Sequence, residues 1–280
     1  MDRIDLHIHS NASDGTCTPT EVVEMAKNIG LRAVALTDHD STSGIAEAKA
    51  AGERLGVEVV GGIEVSSNYR DNNVHILGYF IDPDEPALLE IVDWVQFARD
   101  VRNEKVVALL QKDGFDISME ELCEKYPGAV IGRPHMAEIL MQKGYISSVK
   151  EGFEKFFAVG QKYYLPKGRI SIQRAVEVIR KAGGVSVLAH PFVYHYSEDE
   201  IIQMIETAKD CGIQAMECYY SENTPEQQEW LLKKAKEYSL GVSGGSDYHG
   251  TRKTHITMGT GMGDLCVPYP VLEGLKALKK

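Results

Sequence analysis

Cysteine is scarce: Cys17, Cys123, Cys211, Cys218 and Cys266 are scattered, odd in number and free of CxxC spacing. That pattern gives neither a disulfide framework nor a zinc finger, and it fits a reducing compartment. Long apolar runs are missing too, since none approaches the roughly 18 to 20 residues that span a bilayer, so no membrane association is expected. The opening Met1-Asp2-Arg3 lacks the basic stretch, apolar core and cleavage site of a secretion signal, and a cytoplasmic location is expected. Positive charge is in deficit, with 30 Lys and Arg against 41 Asp and Glu and a formal net charge of −11. Such a balance argues against a surface that grips long duplex nucleic acid. What remains is an ordinary globular composition in 280 residues, enough for one barrel-type domain or two modest ones.

The pattern of elements is mostly alternating. Ile4 to Ile8 reads as a strand, and Thr18-Pro19-Thr20-Glu21 joins a capping box to a proline at the first helical position. A helix to about Ile29 follows, then a strand Ala33 to Thr37, a helix Ser43 to Leu55, and strands Glu58 to Val65 and Val74 to Phe80. This alternation predicts a parallel α/β sheet. It stops after Phe80, and nearly everything from about Pro86 to Ala158 reads helical. It resumes with a helix Ser171 to Ala182 and strands Val185 to Ala189, Ile213 to Cys218 and Gly241 to Ser243, separated by helices opened at Ser197 and Thr224. The expected organisation is one α/β domain of residues 1–85 and 165–280, interrupted by an all-helical insertion of residues 86–164.

The nine histidines carry the strongest signal. His7 and His9 end the first strand, His39 follows the second, Glu64 ends the third and His75 lies on the fourth. His190 follows the Val185 strand, while Asp247 and His249 follow the last. In a parallel barrel the C-terminal strand ends converge on one face, where chemistry is carried out. A single His-x-His pair is weak, expected by chance roughly 0.3 times in a chain of this composition, but residues two apart on a strand do point to one side. Asp14, in Ser13-Asp14-Gly15, also suits an ordinary turn, and His75 alone suits a core hydrogen bond. Burying Glu64 on an apolar strand favours a cationic partner. Asp38 and Asp40 flank His39, and either can orient an imidazole. His7, His9, His39, His75, His190, His249, Asp14, Glu64 and Asp247 together are too many for one tetrahedral ion. Three divalent ions with one bridging carboxylate use them well, and imidazole with carboxylate suits Zn, Mn or Fe without choosing among them.

These residues resemble a known family. His7-x-His9, Ser13-Asp14-Gly15, Thr37-Asp38-His39, Gly62-Ile63-Glu64, His75, Ala189-His190-Pro191 and Gly245-Ser246-Asp247-Tyr248-His249 are similar to the motifs of the PHP (polymerase and histidinol phosphatase) phosphoesterases, from residue 4 to about 264. The resemblance implies a distorted (β/α)7 TIM-like barrel with a trinuclear metal centre. It places one ion on His7, His9, Glu64 and Asp247, a second on Glu64, His75 and His190, and a third on Asp14, His39 and His249. The helical segment and Ile131-Gly132-Arg133-Pro134-His135 look like the stand-alone bacterial branch that removes a phosphate from 3′,5′-bisphosphonucleotides or trims short RNA ends. Histidinol phosphatases, the alternative branch, tend to carry His where this chain has Asp14.

Pro134 at a first helical position would set Arg133 and His135 at a helix N-terminus, where amides attract an anion. A solvated arginine and a backbone-satisfied histidine are the plain alternatives, and the resemblance favours phosphate binding; as catalytic residues, Arg133 would offset charge on the phosphoryl oxygens and His135 hold the phosphate or protonate the leaving oxygen. Lys167 is a weaker substrate-binding candidate. Expected partners are therefore a small phosphate-bearing substrate, with no long duplex and no obligate protein partner. Two rivals stand: an amidohydrolase, which often uses a barrel lysine absent from the strand ends here, and a metal-holding module without catalysis.

Overall fold

The computed structural model describes residues 2–70, 72–165 and 168–279. The chain divides into two compact units, Met1–Val92 with Arg169–Lys280, and Asp93–Gly168. The first unit opens with β1 (Arg3–Ile8), α1 (Pro19–Asn28), β2 (Leu31–Leu36), α2 (Ile45–Leu55), β3 (Glu58–Tyr69) and β4 (Asn72–Tyr79). Helix α3 (Pro86–Lys112) leads into the second unit, with α4 (Met119–Lys125), α5 (Arg133–Gln142), α6 (Val149–Gly152) and a π-helical turn over Phe153–Phe157. The first unit then continues through β5 (Ile170–Ser171), α7 (Ile172–Lys181), β6 (Val185–Leu188), α8 (Glu198–Asp210), β7 (Ala215–Tyr220), α9 (Pro225–Glu237), β8 (Gly241–Gly245), β9 (Val267–Pro268) and α10 (Pro270–Leu278).

Local chemistry accounts for the helix starts. Thr18 with Glu21, Ser197 with Glu200 and Thr224 with Gln227 each close a reciprocal capping box, satisfying two otherwise orphaned amides per helix. The strands run in the order β8-β7-β6-β4-β3-β2-β1, with β9 added antiparallel to β1 and β5 paired with β3. All seven strands of that path are parallel to their neighbours except β4, which is antiparallel to both β3 and β6. The alternation of the sequence predicts a parallel sheet throughout. Two residues separate β3 from β4, too few for the crossover that a parallel partner requires, so the chain turns straight back. That reversal brings the first half of β4 level with the end of β3: His75 pairs with Ser66, two residues beyond Glu64.

The path curls until its ends meet. Asp247 N–H donates to His7 O (2.8 Å) and His9 N–H to Tyr248 O (3.0 Å), so the segment after β8 closes on β1. Ile4, Leu6, Ala33, Ala35, Val187 and Ala215 belong to one buried cluster, while Val22, Val23 and Ala26 of α1 and Ala48 and Ala51 of α2 pack with Val34 and Leu36 in another. Each fully buried Leu, Ile or Val contributes about 1.5–3 kcal/mol relative to exposure. The second unit has its own core, including Leu110, Leu122, Met136, Leu140 and Phe157. No described helix is long and apolar enough to cross a membrane.

Gly245 is where closure is tightest: a Cβ there would lie 2.3 Å from His7 N and 2.4 Å from His7 Cβ. Gly245→Ala is expected to destabilise the protein by about 1–3 kcal/mol through overpacking, seen as a lower urea midpoint of the metal-stripped protein.

Candidate metal centre

β1 and the residue after it alternate Ile4, Leu6 and Ile8 with Asp5, His7 and His9, so the two imidazoles leave the chain on one side. The other expected ligands arrive from strand ends and the loops behind them: His39 after β2, Glu64 and His75 on β3 and β4, His190 after β6, Asp247 and His249 after β8, and Asp14 from the loop after β1. His190 (φ 28°) and Asp247 (φ 57°) adopt left-handed backbone conformations. Such conformations are disfavoured in L-residues and persist where the surroundings over-determine them; here they turn both side chains into the cluster.

Glu64 is the centre of the arrangement, with 1% of its side chain exposed. Its Oε1 lies 2.8 Å from His75 Nδ1 and 2.9 Å from His190 Nε2. Its Oε2 lies 3.4, 3.2 and 3.0 Å from His7 Nε2, His9 Nε2 and His39 Nδ1. Asp247 Oδ1 stands 3.2 Å from His9 Nε2 and 3.4 Å from His249 Nδ1, and Asp14 Oδ1 3.2 Å from His249 Nε2. The donor atoms fall into overlapping groups: His9, Asp14, His39 and His249; His7, Glu64 and His190; His7, His9 and Asp247; and His39, Glu64 and His75. Within each group they lie within 4.8 Å of one another.

Several of these atoms make no hydrogen bond. His7 Nε2, both ring nitrogens of His9, Asp14 Oδ1, His39 Nδ1 and Glu64 Oε2 are buried without a hydrogen-bonding partner. Each unsatisfied buried group costs about 1–3 kcal/mol, so six in one spot are hard to reconcile with a purely structural cluster. The donor set, imidazole nitrogens and carboxylate oxygens, is that of divalent transition metals. The residues fit such ions.

Electrostatics point the same way. Burial works against the charged form of Glu64, but the imidazoles of His39, His75 and His7 outweigh it and hold the carboxyl well below the ordinary range. Burial likewise opposes ionisation of Asp14 and Asp247, and His249 with His39, and Lys253 with His249, pull them well below that range. His9 is pushed down by burial, yet Asp247 and Glu64 raise it to about 9. His249 falls to about 4 through burial and the like charges of His9 and Lys253. The pocket therefore holds ionised carboxylates among imidazoles, of which His7 and His9 are shifted toward the charged form and His75 and His249 toward the neutral one, an arrangement in which cations can take the place of the protons.

A surrounding layer escapes sequence reasoning. Glu217, inside β7, accepts from His7 Nδ1 (2.9 Å) and from His190 N–H (2.8 Å). Placing the proton of His7 on Nδ1 leaves the Nε2 lone pair facing Glu64, the usual device for orienting a metal-binding imidazole. His249 Nδ1 similarly lies 2.8 Å from Asp247 O, turning Nε2 toward Asp14. The only hint of Glu217 is a charged residue in the apolar run Ala215-Met216-Glu217-Cys218. Asp38 serves the loop instead of an imidazole: it accepts from Ser10 N–H and Oγ (2.8 and 2.7 Å) and Ser13 Oγ (2.6 Å), which fixes the segment carrying Asp14. Asp40 accepts from Ser66 N–H and Oγ, both at 2.7 Å. Lys253, not singled out in the sequence, donates to Asp247 Oδ2 (2.6 Å).

Arg133 and His135 lie in the second unit, apart from this cluster in the chain's division. α5 begins at Arg133, so Pro134 is its second residue rather than its first. His135 is buried, and its Nδ1 accepts from Gly132 N–H (2.9 Å). Arg133 donates to Phe157 O (2.9 Å) and lies over the Tyr164 ring. Lys167 falls outside the described residues.

Comparison with known proteins places this geometry in context. A family model described as PHP domain matches residues 5–165. A 3′,5′-nucleoside bisphosphate phosphatase of Chromobacterium violaceum is 35% identical over 253 residues, 89% of this chain and 88% of that protein. A 5′-3′ exoribonuclease of Haemophilus influenzae is 32% identical over 247 residues, 88% of this chain and 90% of that protein. A solved structure from Bifidobacterium adolescentis, classed as a metal-dependent phosphoesterase, aligns with a TM-score of 0.89 at 30% identity, over all of this chain and 97% of that one.

Replacing Glu217 by Gln keeps its shape and removes its charge. The variant is expected to bind divalent metal 10–100-fold more weakly with an unchanged far-ultraviolet circular dichroism spectrum, measured by competition against a chelator.

Proposed function

The chain belongs to the PHP domain family of metal-dependent phosphoesterases, and from that premise we propose that it hydrolyses phosphate esters of small nucleotides. The favoured reaction removes the 3′-phosphate of a 3′,5′-bisphosphonucleotide, and short RNA ends are the companion substrate class. The observation that carries this reading is Glu64, whose two oxygens face two different sets of imidazoles, as a carboxylate bridging metal ions must. Two relatives of similar length, named for a nucleoside bisphosphate phosphatase and an exoribonuclease, supply the substrate class.

In this reading the site holds three divalent ions, with Mn, Zn and Fe all compatible. His7, His9, Glu64 and Asp247 would hold the first, Glu64, His75 and His190 the second, and Asp14, His39 and His249 the third. Ions bound there supply a nucleophilic water at neutral pH and offset charge on the phosphoryl oxygens. The protein does the rest. Glu217 and the carbonyl of Asp247 keep His7 and His249 in the required orientation. Asp14, His39 and His75 retain some exposure while His7, His9 and Glu64 are sealed, so substrate enters from the side of the former three. Water adds to phosphorus, the bond from phosphorus to the 3′-oxygen breaks, and that oxygen leaves with a proton as the hydroxyl of a nucleoside 5′-monophosphate. Arg133, His135 and Lys167, with the insertion of residues 86–164, are assigned to binding the substrate and offsetting its charge.

The test follows product formation with Mn, Zn and Fe compared: phosphate released from 3′,5′-bisphosphonucleotides, histidinol phosphate and simple monoesters, nucleotide released from short RNA, and amine released from an amide. Turnover of the bisphosphonucleotides and the short RNA is expected, and His9→Ala and Asp247→Ala are expected to lower it at least a thousandfold with the fold intact. Preference for the amide, or full activity in either variant, contradicts the proposal.

A further inference from the structure

Asp247 divides its carboxylate between two duties. Oδ1 faces His7 Nε2 and His9 Nε2, ligand atoms assigned to the first ion. Oδ2 faces away and accepts from Tyr220 OH (2.8 Å) and from Lys253 Nζ (2.6 Å). Lys253 thus brings an ammonium to the edge of a centre meant for cations, although Tyr220 already satisfies Oδ2. Its charge opposes cation binding, since the ammonium sits on the carboxylate whose other oxygen faces His7 and His9. Asp247 joins this cation to the ligand face, and a second anion reaching both would offset the charge that remains.

The position of this ammonium is built in. Lys253 ends the 3-10 turn Gly250–Lys253 directly after His249. Gly250 has φ +68°, and a Cβ there would sit 1.9 Å from Thr16 Oγ1. Thr251 N–H donates to Thr16 Oγ1 (3.0 Å) and Arg252 to Gly15 O (2.9 Å). The turn is therefore clamped to the loop that carries Asp14, and Lys253 stands where two ligand-bearing loops meet. About a third of its side chain is exposed. An ammonium has three donors, and the contact with Asp247 uses one.

We propose that Lys253 is a substrate-binding residue that receives a non-bridging oxygen of the reacting phosphoryl group while it remains on Asp247 Oδ2. The inference rests on the phosphoester reading of the site and adds the protein-borne cation for the phosphate. Lysine suits the role because it acts as a compact point charge and tolerates the changing geometry of a phosphoryl group.

The test uses the metal-loaded full chain and inorganic phosphate as probe, by isothermal titration calorimetry, with metal content measured on the same samples. Lys253→Met is expected to keep its full complement of metal and weaken phosphate binding at least tenfold, with KM raised more than kcat is lowered. Lys253→Arg is expected to recover phosphate affinity to within about threefold of the native chain. Lys253→Gln, which preserves polarity, replaces the Met variant if that one fails to fold. Unchanged phosphate affinity in a variant lacking the charge overturns the proposal, and so does loss of metal in parallel with loss of phosphate, which marks Lys253 as a support for Asp247 alone. If the native chain turns over the bisphosphonucleotide while the variants bind phosphate normally, only this inference falls. If the native chain neither binds phosphate nor hydrolyses any phosphoester, the functional reading itself falls.

Discussion

One buried carboxylate sets the terms for the barrel face. Glu64 is almost fully enclosed, ionised and ringed by five imidazoles. A charge so buried is costly unless paired and hydrogen-bonded, and imidazoles do this only in part, since its Oε2 makes no hydrogen bond. The surrounding features serve this constraint: the reversal of β4 that brings His75 alongside, the left-handed backbone at His190 and Asp247, and Glu217 behind His7. Barrel closure at Gly245 then presses β8 against β1, so that ligands from opposite ends of the chain meet.

Much of this was legible in the sequence, for physical reasons. Ligands that follow apolar strands must appear at a common end of a barrel, so His7, His9, His39, Glu64, His190, Asp247 and His249 announced themselves by position. Capping boxes at Thr18, Ser197 and Thr224 marked helix starts because their hydrogen bonds are local. What stayed hidden depends on distant pairing. Glu217 shows only as a charge in an apolar run, and its role emerges once β7 is known to lie beside β6 and its side chain to reach His7, 210 positions away. One of Asp38 and Asp40 is expected from the sequence to orient an imidazole, and both carboxylates accept from serines in loops and strands that the sequence does not bring near. Lys253 is one of thirty basic residues, informative only once its ammonium is seen on Asp247. β9 escapes sequence reasoning because a two-residue strand has no period to detect, and α10 because its start carries no side-chain cap of the kind that marks α1, α8 and α9.

The charge distribution sharpens the account of the substrate. The insertion from Asp93 to Gly168 has eleven basic and eleven acidic residues, so the whole formal charge of −11 belongs to the barrel unit. Three divalent ions would reduce it to −5 and concentrate the added charge at one face. An acidic exterior around a cationic pocket disfavours long polyanions at a distance and accepts a short phosphate ester at contact range, because surface charges are screened over about 8–10 Å while those in the pocket are not.

The central claim is that Glu64 joins two ions in a centre of three. Metal content per chain, measured by inductively coupled plasma mass spectrometry on the native protein and on Glu64→Ala of equal secondary-structure content, tests it most directly. The account predicts three ions in the native chain and about one in the variant, held by Asp14, His39 and His249. A single ion in the native chain, or undiminished metal in the variant, would contradict it.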